Sequence, residues 1–383
     1  MSKNLEITIK NGRFKKLRQW NRRKNYYIKQ LKIDTKVYIA KLIWDKYKKE
    51  SFDVTLVKTV LLLRNEGTVG DVVVTTPLIK CLYEAGYTVD LLLTKKSSLA
   101  VKYNPYVKDV YEANDCSNAV FLKDFNHTVP DSTIQLMKKK NYDLVVDLCL
   151  FETPVHRMKL FHDIKPKNIL GFNKWNCINH YSKSISFKND KEHVTKAISM
   201  VADKMKLGFI DSRAYDLHIP DFILSEINNY FNTSEGDSKI IINAFTGSPE
   251  RNLSQDQLAK TLDMLKKMSN DIKIIILDHK NELNIPLPEN VVINPFSSLH
   301  HVMALIREAD MIISPDTAIV HISAAWKKPL ISVYKNVGDN NDLWGPGYKN
   351  ASQIIINNRK LSDVDIVPNL IIDEIKKRGL IPC

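Results

Sequence analysis

Long apolar runs are missing from this chain. No stretch of the 383 residues approaches the roughly 18 apolar residues of a spanning helix. The opening MSKNLEITIK carries no apolar core of signal-peptide length, so the expected location is the cytoplasm. Cysteine is scarce too: Cys81, Cys116, Cys149, Cys177 and Cys383 are odd in number, far apart and never in a C-x-x-C pair. That removes the usual signature of zinc or redox chemistry and suits reduced thiols. Neither G-x-G-x-x-G nor a P-loop G-K-[ST] opens the first strand–loop–helix unit, so NAD and ATPase readings lose their main support. No D-x-D pair stands at a strand end, and no metal or other cofactor is expected. Short-period repeats and low-complexity segments are absent apart from one basic arm.

Present instead is a globular composition, 44% hydrophobic, in a chain longer than one core usually organises. Two domains are therefore expected. The net charge of +13 is concentrated: residues 10–49 hold 15 of the 56 Lys and Arg but only two of the 43 Asp and Glu, Asp34 and Asp45. The remaining 41 basic and 41 acidic residues cancel, leaving a neutral body with a basic arm. Such an arm can meet nucleic acid or an anionic membrane surface. Read as one helix over residues 24–47, it puts Tyr27, Ile28, Leu31, Tyr38, Ile39 and Leu42 within an arc of roughly 120°, with most lysines off that stripe. A stripe of this kind either lies in a membrane interface or packs on the folded body. An anionic membrane surface is the partner expected here, and nucleic acid is not.

Beyond the arm, strand-length apolar runs alternate with helical periodicity. Strands are predicted at 60–63, 89–93, 107–111, 144–148, 169–172 and 185–187, with helices at 71–85, 132–139, 151–162 and 192–205. A second series places strands at 239–243, 274–277, 291–293, 311–314 and 330–334, with helices at 255–268, 298–308, 317–325 and 365–378. Between the two series, Pro220 and the polar run from Asn232 interrupt the periodicity, so the boundary is expected within 206–238. The fold class is α/β, two doubly wound domains.

In such sheets ligands sit beyond the carboxyl ends of strands, which selects a few side chains. Asp316 and Thr317 follow one strand and open a small-residue helix, whose free N–H groups and positive dipole end suit phosphate; Asp316 could equally be only the helix cap. Asp71, at another loop–helix junction, could cap its helix, accept a proton, or do both through its two oxygens. Arg251, in the loop after another strand, could grip two phosphate oxygens through its fork or be a surface arginine. Arg157, with His156, Lys159 and His162 on the 151–162 helix, could meet acceptor phosphates or carboxylates, or form a solvated face.

Three partial motifs link these positions. Asp316-Thr317-Ala318 with His321, Ala324 and Ala325 resembles the D-T-G-x-x-H-x-x-A-A signature of glycosyltransferase family 9, which includes lipopolysaccharide heptosyltransferases; Ala318 replaces the usual Gly. Gly70 and Asp71 with Thr75 and Pro77, preceded by Arg64, resemble the family's first loop, with Glu66 where a small polar residue is common. Thr246, Gly247 and Arg251 resemble its P-G-x-x-x-x-K element, with Arg for Lys and with Leu253 and Ser254 for a Trp-Pro pair. The resemblance, spanning residues 57–360, implies a glycosyltransferase B fold of two Rossmann-like domains facing a cleft: an arm over 1–56, an acceptor domain over 57–215, and a nucleotide-sugar domain with a final helix over 216–383. It implies metal-independent inverting transfer of heptose from ADP-heptose to a lipid-linked lipopolysaccharide core acceptor, at the inner face of the bacterial inner membrane. Asp71 would be the base and Arg251 the leaving-group cation. Thr246, Gly247, Glu282 (with Asp278 as competitor), Asp316, Thr317, Ala318 and His321 would hold the donor, and Arg64, Gly70 and Arg157 the acceptor. Alternatives are transfer from another nucleotide sugar, or a non-catalytic binding protein of the same fold.

Overall fold

The computed structural model describes residues 15–45, 52–114, 129–151, 155–174, 178–189, 191–232, 238–269, 271–358 and 360–381. Cys116, Cys177, Cys383 and the first and last residues of the basic arm lie outside these; Cys81 and Cys149 form no disulfide among the described residues.

The first half comprises α1 (Lys15–Trp44), β1 (Thr59–Arg64), α2 (Val69–Glu84), β2 (Thr88–Thr94), α3 (Lys95–Ser98), β3 (Val110–Ala113), α4 (Asp131–Lys140), β4 (Leu144–Asp147), α5 (Val155–Ile164), β5 (Asn168–Phe172), β6 (Lys183–Ile185) and α6 (Thr195–Lys204). The second comprises α7 (Asp221–Asn232), β7 (Ser238–Asn243), α8 (Gln255–Met268), β8 (Ile272–Leu277), β9 (Val291–Ile293), α9 (Leu299–Glu308), β10 (Met311–Pro315), α10 (Ala318–Ala325), β11 (Leu330–Lys335), α11 (Asn340–Leu343), β12 (Ala351–Ile356) and α12 (Val367–Arg378).

Each half forms a parallel six-stranded sheet, ordered β3-β2-β1-β4-β5-β6 and β12-β11-β10-β7-β8-β9. Counted from its own first strand, each follows the same doubly wound order, which reverses direction beside β1 in one sheet and beside β7 in the other. Val60 to Arg64 and Ile240 to Asn243 are buried without alternation, because helices cover both faces of a parallel sheet. The loops after β1, β4, β7 and β10 therefore all lie at strand-order reversals, where an open α/β sheet leaves a crevice.

The halves meet helix to helix. Val72, Val73 and Leu78 of α2 share one apolar core with Val320, Ile322 and Ala324 of α10. No helix among the described residues is long and apolar enough to cross a membrane.

Three features depart from the predicted elements. Helix α7, inside the segment 206–238, was not anticipated; its Ile223, Ile227 and Phe231 recur at a four-residue spacing and are buried. Pro220 precedes its first turn, where the missing N–H is harmless. β12 was not anticipated; its residues are mostly half-buried at a sheet edge and so lack a continuous apolar signal. The arm helix begins earlier than expected, at Lys15, and ends at Trp44. It packs on the body through Val37, Ala40 and Trp44, which contact Val155 and Met158 of α5 and Ile178. The stripe containing Tyr27, Leu31, Tyr38 and Leu42 points the other way, into solvent.

Candidate active site

β1 delivers Arg64 to the floor of the crevice, where only 8% of it is exposed. Its Nε donates to Thr75 Oγ1 at 3.0 Å and its Nη1 to the Leu148 carbonyl at 3.2 Å, while Nη2 is buried with no partner. Asp71, in the first turn of α2, lies above it. Asp71 Oδ2 accepts from the Thr68 N–H at 2.7 Å and the Thr68 hydroxyl at 2.9 Å, and Oδ1 stands 3.9 Å from Arg64 Nη1. One oxygen thus closes the helix end and the other remains beside a cation. Arg64, expected to touch an acceptor, lies beneath that second oxygen.

The loop between them is fixed by a buried ionic network that was not anticipated. Arg157 of α5, 1% exposed, donates Nη1 to Asn65 Oδ1 at 2.5 Å and pairs through Nη2 with Glu66 and, at 3.6 Å, with Asp147. His156 Nε2 lies 2.5 Å from Glu66 Oε1, and the Tyr181 hydroxyl donates to Asp147 at 2.5 Å. Burial works against ionised Glu66, yet Arg157 and His156 hold its carboxyl at about 2. Neither the acceptor role nor the solvated face expected of Arg157 fits a guanidinium enclosed by two carboxylates. It braces the loop that carries Asp71. The signal available in the sequence was Glu66 itself, a carboxylate in place of a small polar residue.

On the opposite side, β10 and α10 present Asp316, Thr317 and Ala318. Thr317, not Asp316, caps α10: its hydroxyl accepts from Ile319 N–H at 3.2 Å and from Asn243 Nδ2, at the end of β7, at 3.2 Å. Freed from capping, Asp316 accepts from Arg251 Nη1 at 2.8 Å. Arg251 reaches it from the turn of Pro249–Arg251 and remains 39% exposed. Lys280 donates to the Thr246 carbonyl at 3.1 Å and pairs with Glu282 at 3.3 Å; Lys335, at the end of β11, pairs with Glu250 at 2.5 Å. Three cations therefore border the loops after β7, β8 and β11.

Two donor-side expectations narrow. Thr246 is buried, and its hydroxyl is spent inside its own loop on the Ser248 carbonyl at 2.7 Å, so it cannot offer that group outward; Gly247 beside it is exposed. Asp278 accepts the N–H groups of Glu282 and Leu283, both at 2.9 Å, which makes it a loop closure and leaves Glu282 as the carboxylate after β8.

The two sides touch at Gly70. A Cβ there would come within 2.8 Å of His321 Cδ2 and 3.5 Å of the Ala318 Cα, so glycine permits the first turns of α2 and α10 to meet. Gly70 and His321, expected on acceptor and donor, form this contact. His321 is buried against Tyr215 and Trp344, with Nδ1 unpartnered. His193 Nε2 lies 2.9 Å from the Gly345 carbonyl, and Arg213 donates to the Gly347 carbonyl, so the loop after β11 is held by the first half. Burial above all pulls His193 and His321 down to about 4, with the Arg213 guanidinium adding to the effect at His193.

The family model described as Glycosyltransferase family 9 (heptosyltransferase) matches residues 132–369. The chain belongs to glycosyltransferase family 9. It is 26% identical over 364 residues to a protein of Escherichia coli (strain K12) provisionally named lipopolysaccharide heptosyltransferase 4, covering 91% of this chain and 95% of that one. Among solved structures, the family 9 glycosyl transferase from Veillonella parvula DSM 2008 superposes with a TM-score of 0.65 at 15% identity, over 84% of this chain and 96% of that one. The Escherichia coli ADP-heptose lps heptosyltransferase II does so with a TM-score of 0.62 at 15% identity, over 84% and 98%. Escherichia coli heptosyltransferase WaaC with ADP gives 0.59 at 18% identity, also over 84% and 98%. These likenesses carry the fold: two Rossmann-like domains across a cleft, the glycosyltransferase B architecture. The family 9 chain is a glycosyltransferase.

Proposed function

We propose that this family 9 enzyme transfers heptose from ADP-heptose to a lipopolysaccharide or lipooligosaccharide core acceptor, with inversion at the anomeric carbon. The observation that carries the reading is the meeting of Asp71 and the donor-side helix α10 across the Gly70–His321 contact. Asp71 would take the proton of the acceptor hydroxyl as that oxygen attacks the anomeric carbon and the bond to the diphosphate breaks on the far side. Its Oδ2, anchored to Thr68, fixes the carboxylate, and Arg64 Nη1 stands 3.9 Å from Oδ1.

The leaving diphosphate would lie over the start of α10, taking Arg251 from Asp316 and meeting Lys280 and Lys335. Asp316 and Thr317 would then face phosphate or sugar hydroxyls, and Glu282 the ribose. The donor class follows the family and the relatives named for ADP-heptose, and no side chain identified above reads adenine or heptose alone. The reading places the enzyme at the inner face of the inner membrane, where a lipid-linked acceptor is reached.

Purified protein incubated with ADP-heptose and a heptose-deficient core acceptor should yield an acceptor heavier by one heptose, read by mass spectrometry. Transfer only from a different nucleotide sugar would replace the donor. Donor binding without transfer or hydrolysis would favour a binding protein of this fold.

A further inference from the structure

Helix α1 has two apolar faces, and only one is used. At 100° per residue, Val37, Ala40 and Trp44 fall on one side of the 30-residue helix and pack on α5 and Ile178. Leu17, Trp20, Tyr27, Ile28, Leu31, Tyr38 and Leu42 fall within an arc of roughly 120° centred nearly opposite. All seven are solvent-exposed, four of them, Leu17, Tyr27, Leu31 and Tyr38, by more than 60%. Nothing in the protein covers this face among the described residues.

Most charges flank it. Lys16, Arg23 and Lys41 follow one edge of the exposed stripe, and Lys32 and Lys36 the other, while Lys24 lies within it with its ammonium 5.3 Å from the Trp20 ring centre; the helix carries ten basic residues against the single acid Asp34. A strip of Trp, Tyr and Leu with cations along both margins matches the depth profile of a bilayer surface, with rings and aliphatic groups below the headgroups and ammonium groups level with the phosphates. A second protein would need acidic margins around an apolar groove of the same length. An anionic lipid surface supplies both features without matching a shape.

The helix is also held rigidly. Asp45, directly after it, is buried and accepts the N–H groups of Asn179 at 2.7 Å and His180 at 2.9 Å, so the outward face has a fixed direction relative to the first domain. Its support, α5, carries His156 and Arg157, which brace the loop leading to Asp71. One helix layer therefore separates the exposed stripe from the acceptor loop.

We infer that the outward face of α1 is a lipid-docking surface that seats the first domain on an anionic bilayer, with the acceptor loop one helix layer above it. The inference builds on the reading that the acceptor is lipid-linked, but its test uses neither donor nor acceptor, so either can fail alone. The full chain is sedimented with vesicles of phosphatidylcholine containing phosphatidylglycerol, and with pure phosphatidylcholine, in low and high salt. The wild type should pellet with the anionic vesicles in low salt and be released by high salt or by omission of phosphatidylglycerol. A Leu31→Glu/Tyr38→Glu variant should lose at least about tenfold in vesicle affinity with an unchanged unfolding midpoint, because both side chains already face water. Equal binding by variant and wild type overturns the inference, as does a wild type that stays in solution. So does a wild-type dimer that the double substitution converts to monomer, since a second copy would then cover the face.

Discussion

Replacing Gly70 by alanine tests whether the α2–α10 contact sets the geometry of the reaction centre. In an ordinary helix, Gly→Ala stabilises by about 0.5–1 kcal/mol through reduced backbone freedom. Here the added Cβ would stand 2.8 Å from His321 Cδ2, inside contact distance. The His321 ring cannot retreat easily, because Tyr215 and Trp344 enclose it. Overpacking of such a site costs about 1–3 kcal/mol; with the ring enclosed the upper part of that range applies, about 2–3 kcal/mol, which exceeds the helix gain and leaves a net loss of about 1–2 kcal/mol. For a domain of this size that lowers the melting midpoint by roughly 2–8 °C. Because Asp71 is the next residue, a displaced first turn should reduce kcat at least about tenfold. Calorimetry and steady-state kinetics measure both. Gly247→Ala, whose Cβ meets nothing within 4 Å, should leave the midpoint unmoved. Gly70→Ala/His321→Ala should be more stable than the sum of its parts, since the shortened side chain makes room. A Gly70→Ala protein that melts and turns over as the wild type does would refute the reasoning.

Asp71→Asn should abolish transfer while keeping nucleotide-donor affinity within a few-fold, because the amide retains the helix-end geometry but accepts no proton; surviving turnover excludes Asp71 as the base. Arg251→Ala should weaken nucleoside diphosphate binding at least about tenfold, since it also leaves Asp316 without its cation, whereas Arg251→Lys keeps the point charge and stays within a few-fold. Equal calorimetric affinities for all three proteins would remove Arg251 from the site. His193 and His321, held at about 4 against an unfolded value near 6.5, bind fewer protons folded than unfolded between those limits. Stability should therefore fall as pH drops from about 6.5 toward 4, by on the order of 1.4 kcal/mol per pH unit for each ring. Denaturant midpoints should show this slope, and His193→Asn/His321→Asn should flatten it between pH 6.5 and 5; equal slopes would place the titration elsewhere.

The strands of both sheets, β12 apart, were legible because buried parallel strands read as uninterrupted Val, Ile and Leu, as in Val60 to Leu63 and Ile240 to Ile242. The loops after them were legible for the same reason, since a strand end fixes where a ligand can sit. Less visible was anything that depends on two distant segments meeting. Arg157 is surrounded in sequence by other basic residues and reads as surface, yet Asn65, Glu66 and Asp147 converge on it from other elements. Gly70 and His321 lie 251 positions apart, and each looks like a ligand contact until the two are found against one another. Thr317 took the capping role that Asp316 could equally have filled, a choice of local geometry that residue type leaves open. The arm's stripe was visible, but which of its faces met the body was not, because Val37, Ala40 and Trp44 are as apolar as the residues left outside.

The shared core between α2 and α10 bears on how such enzymes can be recombined. A sugar donor is usually regarded as the business of one domain, so exchanging that domain between relatives looks like a direct way to reprogram specificity. In this chain the seam runs beside the reacting groups: Gly70 precedes Asp71, and its neighbours Ala318 and His321 belong to the helix that follows Asp316. A transplanted second domain would bring its own residue opposite Gly70, and a bulkier neighbour there would shift the acceptor-side carboxylate along with the donor. Productive chimeras should therefore carry the first turn of α2 with the incoming domain, placing the crossover inside a helix rather than in the linker between the sheets.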